Sequence, residues 1–336
     1  MFKRIVLCAA LVCLPSCFDS QKTDICTGVK NVVHEQQAQI KEITSLKTIQ
    51  DFIDSHVERC YKPEDILLIF DVDETLLTSY AQLNSVKKQL MAHDLFPHIA
   101  NTILIKNIPT SLVQKIGKEN IHINKNRELN KYIDQNLIDA AKRKTYDIFA
   151  TLHRTGRLVG QALEPGIGTL IHNMQKAGSK AMGLTARGTD MKESTLKQLK
   201  NQGIDLTNNT LSDKELMLVN KYHGFSNGIL FSTPGVEGFN KGKLLIQLLD
   251  MVGYHPKVII FIDDNLHFLE NVQQELIKQY PHIQFDGLWY SFKPANEFDN
   301  ELAEQLVRKE FGDTWWNLDG YYQQPVKQQQ ATAPAG

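Results

Sequence analysis

This chain has no surplus of charge: 37 Lys and Arg stand against 38 Asp and Glu in 336 residues, a formal net charge of −1. No basic stripe breaks that balance, which excludes nucleic acid as the expected partner. Long apolar runs are also missing. The run from Ile5 to Leu14 is too short to span a bilayer as a mature helix. Cysteine is scarce, at five residues, and the eleven histidines show no metal-ligand spacing. His153, His172 and His255 therefore read as scaffold. What the chain does have is length and 42% hydrophobic content. That is enough for one large domain, or for one domain with a sizeable insertion.

The N-terminus reads as a leader. Lys3 and Arg4 precede the apolar run, and Pro15-Ser16-Cys17 ends it, the layout of a bacterial export signal. Leu14-Pro15-Ser16-Cys17 resembles a lipobox, so Cys17 is a candidate lipidation site and membrane attachment. The expected location is the periplasmic side of a bacterial envelope, lipid-anchored. The plainer alternative is a buried helix opening a cytosolic protein. Under the export reading Cys8 and Cys13 leave with the signal. Cys26 and Cys60 remain as a candidate disulfide or as two unpaired thiols.

The strongest internal signal is Ile66-Leu67-Leu68-Ile69-Phe70 running into Asp71-Val72-Asp73-Glu74-Thr75. Five apolar residues in a row predict a strand buried on both faces of a parallel sheet. Two carboxylates at its end are costly to bury, several kcal/mol per ion on the order given for desolvation, unless a cation or hydrogen bonds offset them. Ligand sites in open α/β sheets lie at the carboxyl ends of strands, so this element predicts a site, with a metal.

Residues 18–62 read as a linker and one or two helices, from the helical spacing of Ile40, Ile43, Leu46, Ile49, Phe52 and Ile53. Residues 80–162 read as a mainly helical insertion, because they carry little strand signal. The α/β alternation then resumes through a strand entering Thr185-Ala186-Arg187, a strand at Gly228–Ser232, a helix from Lys241 to Val252, and a buried strand Val258–Ile262 entering Asp263-Asp264. A strand near Ile283–Trp289 and a C-terminal helix complete the core, assigned to 63–79 and 163–322. Residues 323–336, Gln-rich with Pro and Ala, read as a disordered tail. The fold class is α/β, a parallel sheet flanked by helices with an inserted helical cap. Parallel strands put their carboxyl ends on one edge, so the Asp71/Asp73, Thr185/Arg187 and Asp263/Asp264 clusters can converge.

Taken together and in this order, the clusters resemble the haloacid dehalogenase-like hydrolase superfamily. Phe70-Asp71-Val72-Asp73-Glu74-Thr75-Leu76-Leu77 is similar to its first motif and Leu184-Thr185-Ala186-Arg187 to its second. Asn240-Lys241-Gly242-Lys243-Leu244 is similar to its third and Ile262-Asp263-Asp264-Asn265-Leu266 to its fourth. The insertion stands where that superfamily carries a C1-type cap. The exported context and the Asp-Asn-Leu run are partly similar to class C bacterial acid phosphatases, although the acidic residue expected after Asn265 is out of register.

The resemblance implies phosphoryl transfer on a small phosphomonoester. Asp71 would be the nucleophile and Asp73 the general acid and base. Thr185 and Lys241 would bind the phosphoryl oxygens, with Thr75, Arg187 and Asp263 supporting. Mg²⁺ would be held by Asp71, by Asp73 through its backbone carbonyl, and by Asp264. Each cluster alone has a plainer reading: a solvated turn for DxDxT, an N-cap for Thr185 or for Asp263-Asp264, a solvated helix face for Lys241 and Lys243. Arg187 touches either substrate or a neighbouring carboxylate, and the second reading is preferred. Trp315-Trp316 and Tyr321-Tyr322 read as packing against the core. The competing function is a catalytically quiet envelope lipoprotein acting in protein interaction on an inherited hydrolase scaffold. Haloacid dehalogenation is disfavoured, since enzymes of that branch lack the second aspartate that Asp73 supplies.

Overall fold

The computed structural model describes residues 38–81, 90–118, 121, 132–291 and 299–321. The expected signal at 1–17, the lipidation site Cys17, Cys26 and the tail at 323–336 lie outside the described residues. Cys60 is disulfide-bonded.

The chain opens with strand β1 (Gln39–Ile43) and helix α1 (Ile49–Glu58), then reaches the apolar strand β2 (Ile66–Phe70). The insertion follows: β3 (Leu77–Ala81), β4 (Leu90–Met91), α2 (Ala92–Asn107), α3 (Thr110–Ile116), α4 (Gln135–Arg154) and β5 (Leu158–Ala162). The remainder alternates: α5 (Ile167–Ala177), β6 (Lys180–Thr185), α6 (Lys192–Asn201), β7 (Leu216–Met217), β8 (His223–Ser226), β9 (Ile229–Ser232), α7 (Lys241–Val252), β10 (Val258–Asp263), α8 (Leu266–Gln279), β11 (Gln284–Tyr290) and α9 (Asn300–Phe311).

Eight strands form one sheet in the order β1-β11-β10-β2-β6-β9-β8-β7. Pairing is parallel from β1 to β9 and antiparallel at β9-β8-β7. The expected α/β fold, a mostly parallel sheet flanked by helices, is present. β2 is buried at every position because it lies between β10 and β6 and feeds both faces. Ile66, Leu68 and Phe70 join one apolar cluster, while Leu67 and Ile69 join the cluster on the opposite face. Each such side chain contributes about 2 kcal/mol by leaving water, which fixes the register and hence the position of Asp71.

Three expectations need correction. Ile40 and Ile43 lie on a strand, not a helix: β1 extends the sheet beside β11, with Ile40 opposite Gly287 and Ile43 opposite Tyr290. The helical spacing was coincidental, since pairing to an open parallel edge outweighs a short periodic pattern. The insertion, expected to be mainly helical, also carries strands that its weak strand signal did not announce. β3, β4 and β5 form a separate antiparallel sheet in the order β4-β3-β5, which bridges the helices to the core. The C-terminal helix does not complete the core: Leu302, Ala303, Leu306 and Val307 of α9, with Trp315 and Leu318, pack into the apolar cluster of α2 and α4. Trp316 and Tyr321 pack against that cluster too.

The β8–β9 hairpin was missed, though its signal is local. Asn227 (φ 50°) and Gly228 (φ 78°) make the tight turn, and Asn-Gly favours such turns because both residues tolerate positive φ. No helix among the described residues is long and apolar enough to cross a membrane.

Candidate active site

The backbone carries Asp71 to the sheet edge. Its N–H donates to the carbonyl of Ile262 at 2.9 Å, extending the β2–β10 ladder by one residue. The chain then coils tightly: the N–H groups of Leu76 and Leu77 both donate to the carbonyl of Val72. Glu74 takes a left-handed conformation (φ 57°) inside this coil. Asp263 ends β10 and Thr185 ends β6, so three parallel strands deliver their polar termini to one edge.

Lys241 links two of these. It is the first residue of α7, whose N-cap Asn240 accepts the N–H of Lys243. Its Nζ donates to Asp71 Oδ1 at 2.7 Å and to Asp263 Oδ2 at 2.8 Å. The side chain is wholly buried and its Nζ lies 4.2 Å from the centre of the Phe268 ring. Burial would strip Lys241 of its proton, but Asp263 and Asp71 outweigh burial and hold its pKa above the ordinary lysine value. Lys243 is exposed. Between them Gly242 allows α7 to approach α8, since a Cβ there would meet the Asn271 carbonyl at 2.8 Å.

Burial raises the pKa of Asp71 above the ordinary carboxylate range; Lys241 opposes this, and Asp263 and Asp73 add to the rise. Burial also raises Asp263, against Lys241, with Asp264 adding to the effect. The second oxygen of Asp263 accepts the Asn265 N–H at 2.8 Å. Asp71, Asp263 and half-buried Asp264 each offer an oxygen, and those atoms lie within 4.8 Å of one another. One ammonium among three carboxylates leaves net negative charge in a poorly solvated place. The donors are all hard oxygens, the set that suits Mg²⁺, so the residues present fit that ion.

Asp73 stands apart from this cluster. Arg187 grips it with two bonds, Nε to Oδ2 at 2.9 Å and Nη2 to Oδ1 at 2.7 Å. Burial works against ionisation, yet the Asp73 side chain keeps 41% of its exposure and Arg187 prevails, so its pKa falls below the ordinary value. Arg187 itself is 2% exposed. Its Nη1 donates to Thr195 Oγ1 at 3.0 Å and to Gln198 Oε1 at 2.8 Å. Gln198 Nε2 in turn contacts His153 Nδ1 at 3.2 Å and donates to the Leu158 carbonyl. Burial, with Arg187 nearby, pushes His153 down to about 3, so it is neutral here.

Thr185 is buried and its Oγ1 accepts the Arg187 N–H at 3.1 Å, while its carbonyl accepts from Ser232. Thr75 is buried and its Oγ1 has no partner among the described residues. Glu74, which accepts from Thr78, is pushed up to about 8 by burial and by the charges of Asp73 and Asp264. Asp71, Lys241, Asp263 and Asp264 are thus gathered; Asp73 and Arg187 form a pair beside them. Thr195, Gln198 and His153 had no sequence signal, because their roles arise from packing between α4, α6 and the β6 loop.

A family model described as "Protein of unknown function (DUF2608)" matches residues 117–308. The chain belongs to the DUF2608 family. It is 22% identical over 294 residues to an uncharacterized protein of Rickettsia bellii (strain RML369-C), covering 83% of this chain and 87% of that one. It is 23% identical over 274 residues to an uncharacterized protein of Rickettsia felis (strain ATCC VR-1525 / URRWXCal2), covering 78% and 80%. Among solved structures, a haloacid dehalogenase-like hydrolase from Bacteroides fragilis matches 67% of this chain and 96% of its own, at 12% identity and a TM-score of 0.36.

Proposed function

We propose that this DUF2608 protein is a Mg²⁺-dependent phosphatase of small phosphomonoesters, working through an aspartyl-phosphate. The observation that carries the reading is Lys241 bridging Asp71 and Asp263 beside Asp264 at the edge of the parallel sheet. The ordered motifs that resemble haloacid dehalogenase-like hydrolases support it.

In this scheme an Asp71 oxygen attacks phosphorus and the bond to the leaving oxygen breaks. Asp73 gives that oxygen a proton. Water then attacks the aspartyl-phosphate, Asp73 takes its proton, and phosphate departs with the Asp71 carboxylate restored. Lys241 and Thr185 bind phosphoryl oxygens. Asp71, Asp264 and the Asp73 carbonyl would hold Mg²⁺, with Asp263 beside them; bound there, the ion would screen the phosphate dianion from the nucleophile. Because Arg187 favours the ionised form of Asp73, that residue is ready as the base of the second half. It must gain a proton before it can serve the first. On the export reading, the activity operates on the periplasmic side, with Cys17 as the lipid anchor.

The test is turnover of nitrophenyl phosphate with Mg²⁺. Asp71→Asn should abolish it, while exposed Lys243→Ala should keep it. Full activity in Asp71→Asn refutes the mechanism. One observation favours a second reading, protein interaction without catalysis: Met217, Val219 and Tyr222, at 67%, 51% and 42% exposure, lie on β7 and in its connection to β8 at the end of the sheet. Absence of turnover across a phosphoester panel, with a specific partner in pull-down, would favour it.

A further inference from the structure

A cavity of about 480 Å³ lies between the insertion and the loop leaving β9; Phe96, Asp139, Lys142, Arg143, Tyr146 and Pro234 line it. Its position follows from the fold. The loop at Thr233–Gly235 leaves β9 on the edge where β6 delivers Thr185, since the two strands run parallel with Thr185 opposite Phe231. On α4, residues 139, 142, 143 and 146 recur at helical spacing and share one face. That face continues through Phe149 to His153, which meets Gln198 in the Arg187–Asp73 network. Tyr146 sits between the two ends: its hydroxyl senses the charges of Asp73 and Lys241, and burial pushes it up to about 12. Lys142 and Arg143 lie one turn further along, roughly 5 Å of helix rise.

The wall chemistry is specific. Phe96 meets Tyr146 edge-on at 5.1 Å and Phe149 at 5.0 Å, an ordered aromatic floor. Two cations and one carboxylate stand above it. Asp139 accepts from Gln135, and one Arg143 nitrogen donates to the Tyr321 carbonyl at 2.7 Å. Lys142 has no carboxylate partner among the described residues. A half-buried ammonium and a guanidinium with donors to spare bind an anion best.

Resting on the phosphatase reading, we infer that this cavity is the leaving-group site and that it selects phosphomonoesters whose leaving group carries a second anionic group. The scissile phosphate occupies the Lys241–Asp71 edge. The body of the leaving group lies against Phe96 and Tyr146, and its second phosphate or carboxylate meets Lys142 and Arg143. A cavity of this volume suits a phosphorylated sugar or a substituted aromatic ring.

Matched pairs test it: a hexose bisphosphate against the corresponding monophosphate, and carboxyphenyl phosphate against phenyl phosphate. The readout is the ratio of kcat/KM within each pair, so a general loss of activity cancels. The wild-type protein should favour the doubly anionic member about tenfold, the worth of one good charge contact. Lys142→Glu should invert or erase that preference, and Asp139→Asn should increase it. Circular dichroism of both variants checks that they fold. Turnover without preference in the wild type, or a preference unmoved by Lys142→Glu, overturns this inference and leaves the phosphatase reading standing. Turnover of neither member of either pair removes both.

Discussion

Replacing Arg187 with methionine keeps the bulk of the side chain and deletes its charge and donors. The guanidinium makes two bonds to Asp73, one each to Thr195 and Gln198, and a longer one to Ser79 Oγ at 3.5 Å. Breaking a fully buried ion pair costs about 3–5 kcal/mol. Asp73 retains 41% exposure, so water replaces part of what it loses, and the expected loss at pH 7 is about 2–3 kcal/mol. For a chain this long that lowers Tm by roughly 3–4 °C. The pH dependence has a definite sign. Arg187 depresses the Asp73 pKa below its ordinary value of 3.8, so the stabilisation is complete above 3.8 and vanishes as pH falls through the depressed value. Wild type and Arg187→Met should therefore differ by their full margin at pH 7 and converge in acid. Urea unfolding at pH 7 and near pH 3 measures this. An equal midpoint at pH 7, or a margin that widens in acid, refutes the argument that Arg187 holds an ionised Asp73.

Three further outcomes are expected. Mg²⁺ at a hundred times its Kd should stabilise the protein by about 2.7 kcal/mol, read as a thermal shift, and Asp264→Asn should remove the shift; a shift that survives places the ion elsewhere. His153, held at about 3 against an ordinary 6.5, stabilises the fold above pH 6.5 and loses that contribution as pH falls towards 3, at up to about 1.4 kcal/mol per pH unit. His153→Asn should flatten this slope in urea titrations between pH 7 and 5.5, and unchanged slopes would show that another group is responsible. In Gly228→Ala the new Cβ would lie 2.0 Å from the Leu206 carbonyl oxygen at φ 78°, so unfolding should become easier by about 2–4 kcal/mol; a wild-type denaturation midpoint would contradict it.

The fold was legible where burial dictates composition. β2 and β10 are apolar at successive positions because both faces of each strand are covered. Their ends could be read as well, since carboxylates following such strands must lie at a sheet edge. β1 was misread because an edge strand buries only part of its surface and leaves a weak pattern that a helix also satisfies. β5, an edge strand of the small sheet, leaves an equally weak pattern, and the central β3 carries Thr78 and Ser79 at buried positions, so it shows no apolar run. The β8–β9 turn was written plainly as Asn-Gly and could have been recognised.

Sequence alone determined that Asp71, Thr185, Lys241 and Asp263-Asp264 stand at strand and helix ends, because that follows from local pattern and from parallel topology. It could not determine which carboxylates pair with which cations. Only the tertiary structure put Lys241 between Asp71 and Asp263, gave Arg187 to Asp73, and brought His153 and Gln198 from two different helices into one network. Those choices depend on ångström-scale distances between segments remote along the chain, where each charge takes the nearest opposite partner that packing leaves within reach.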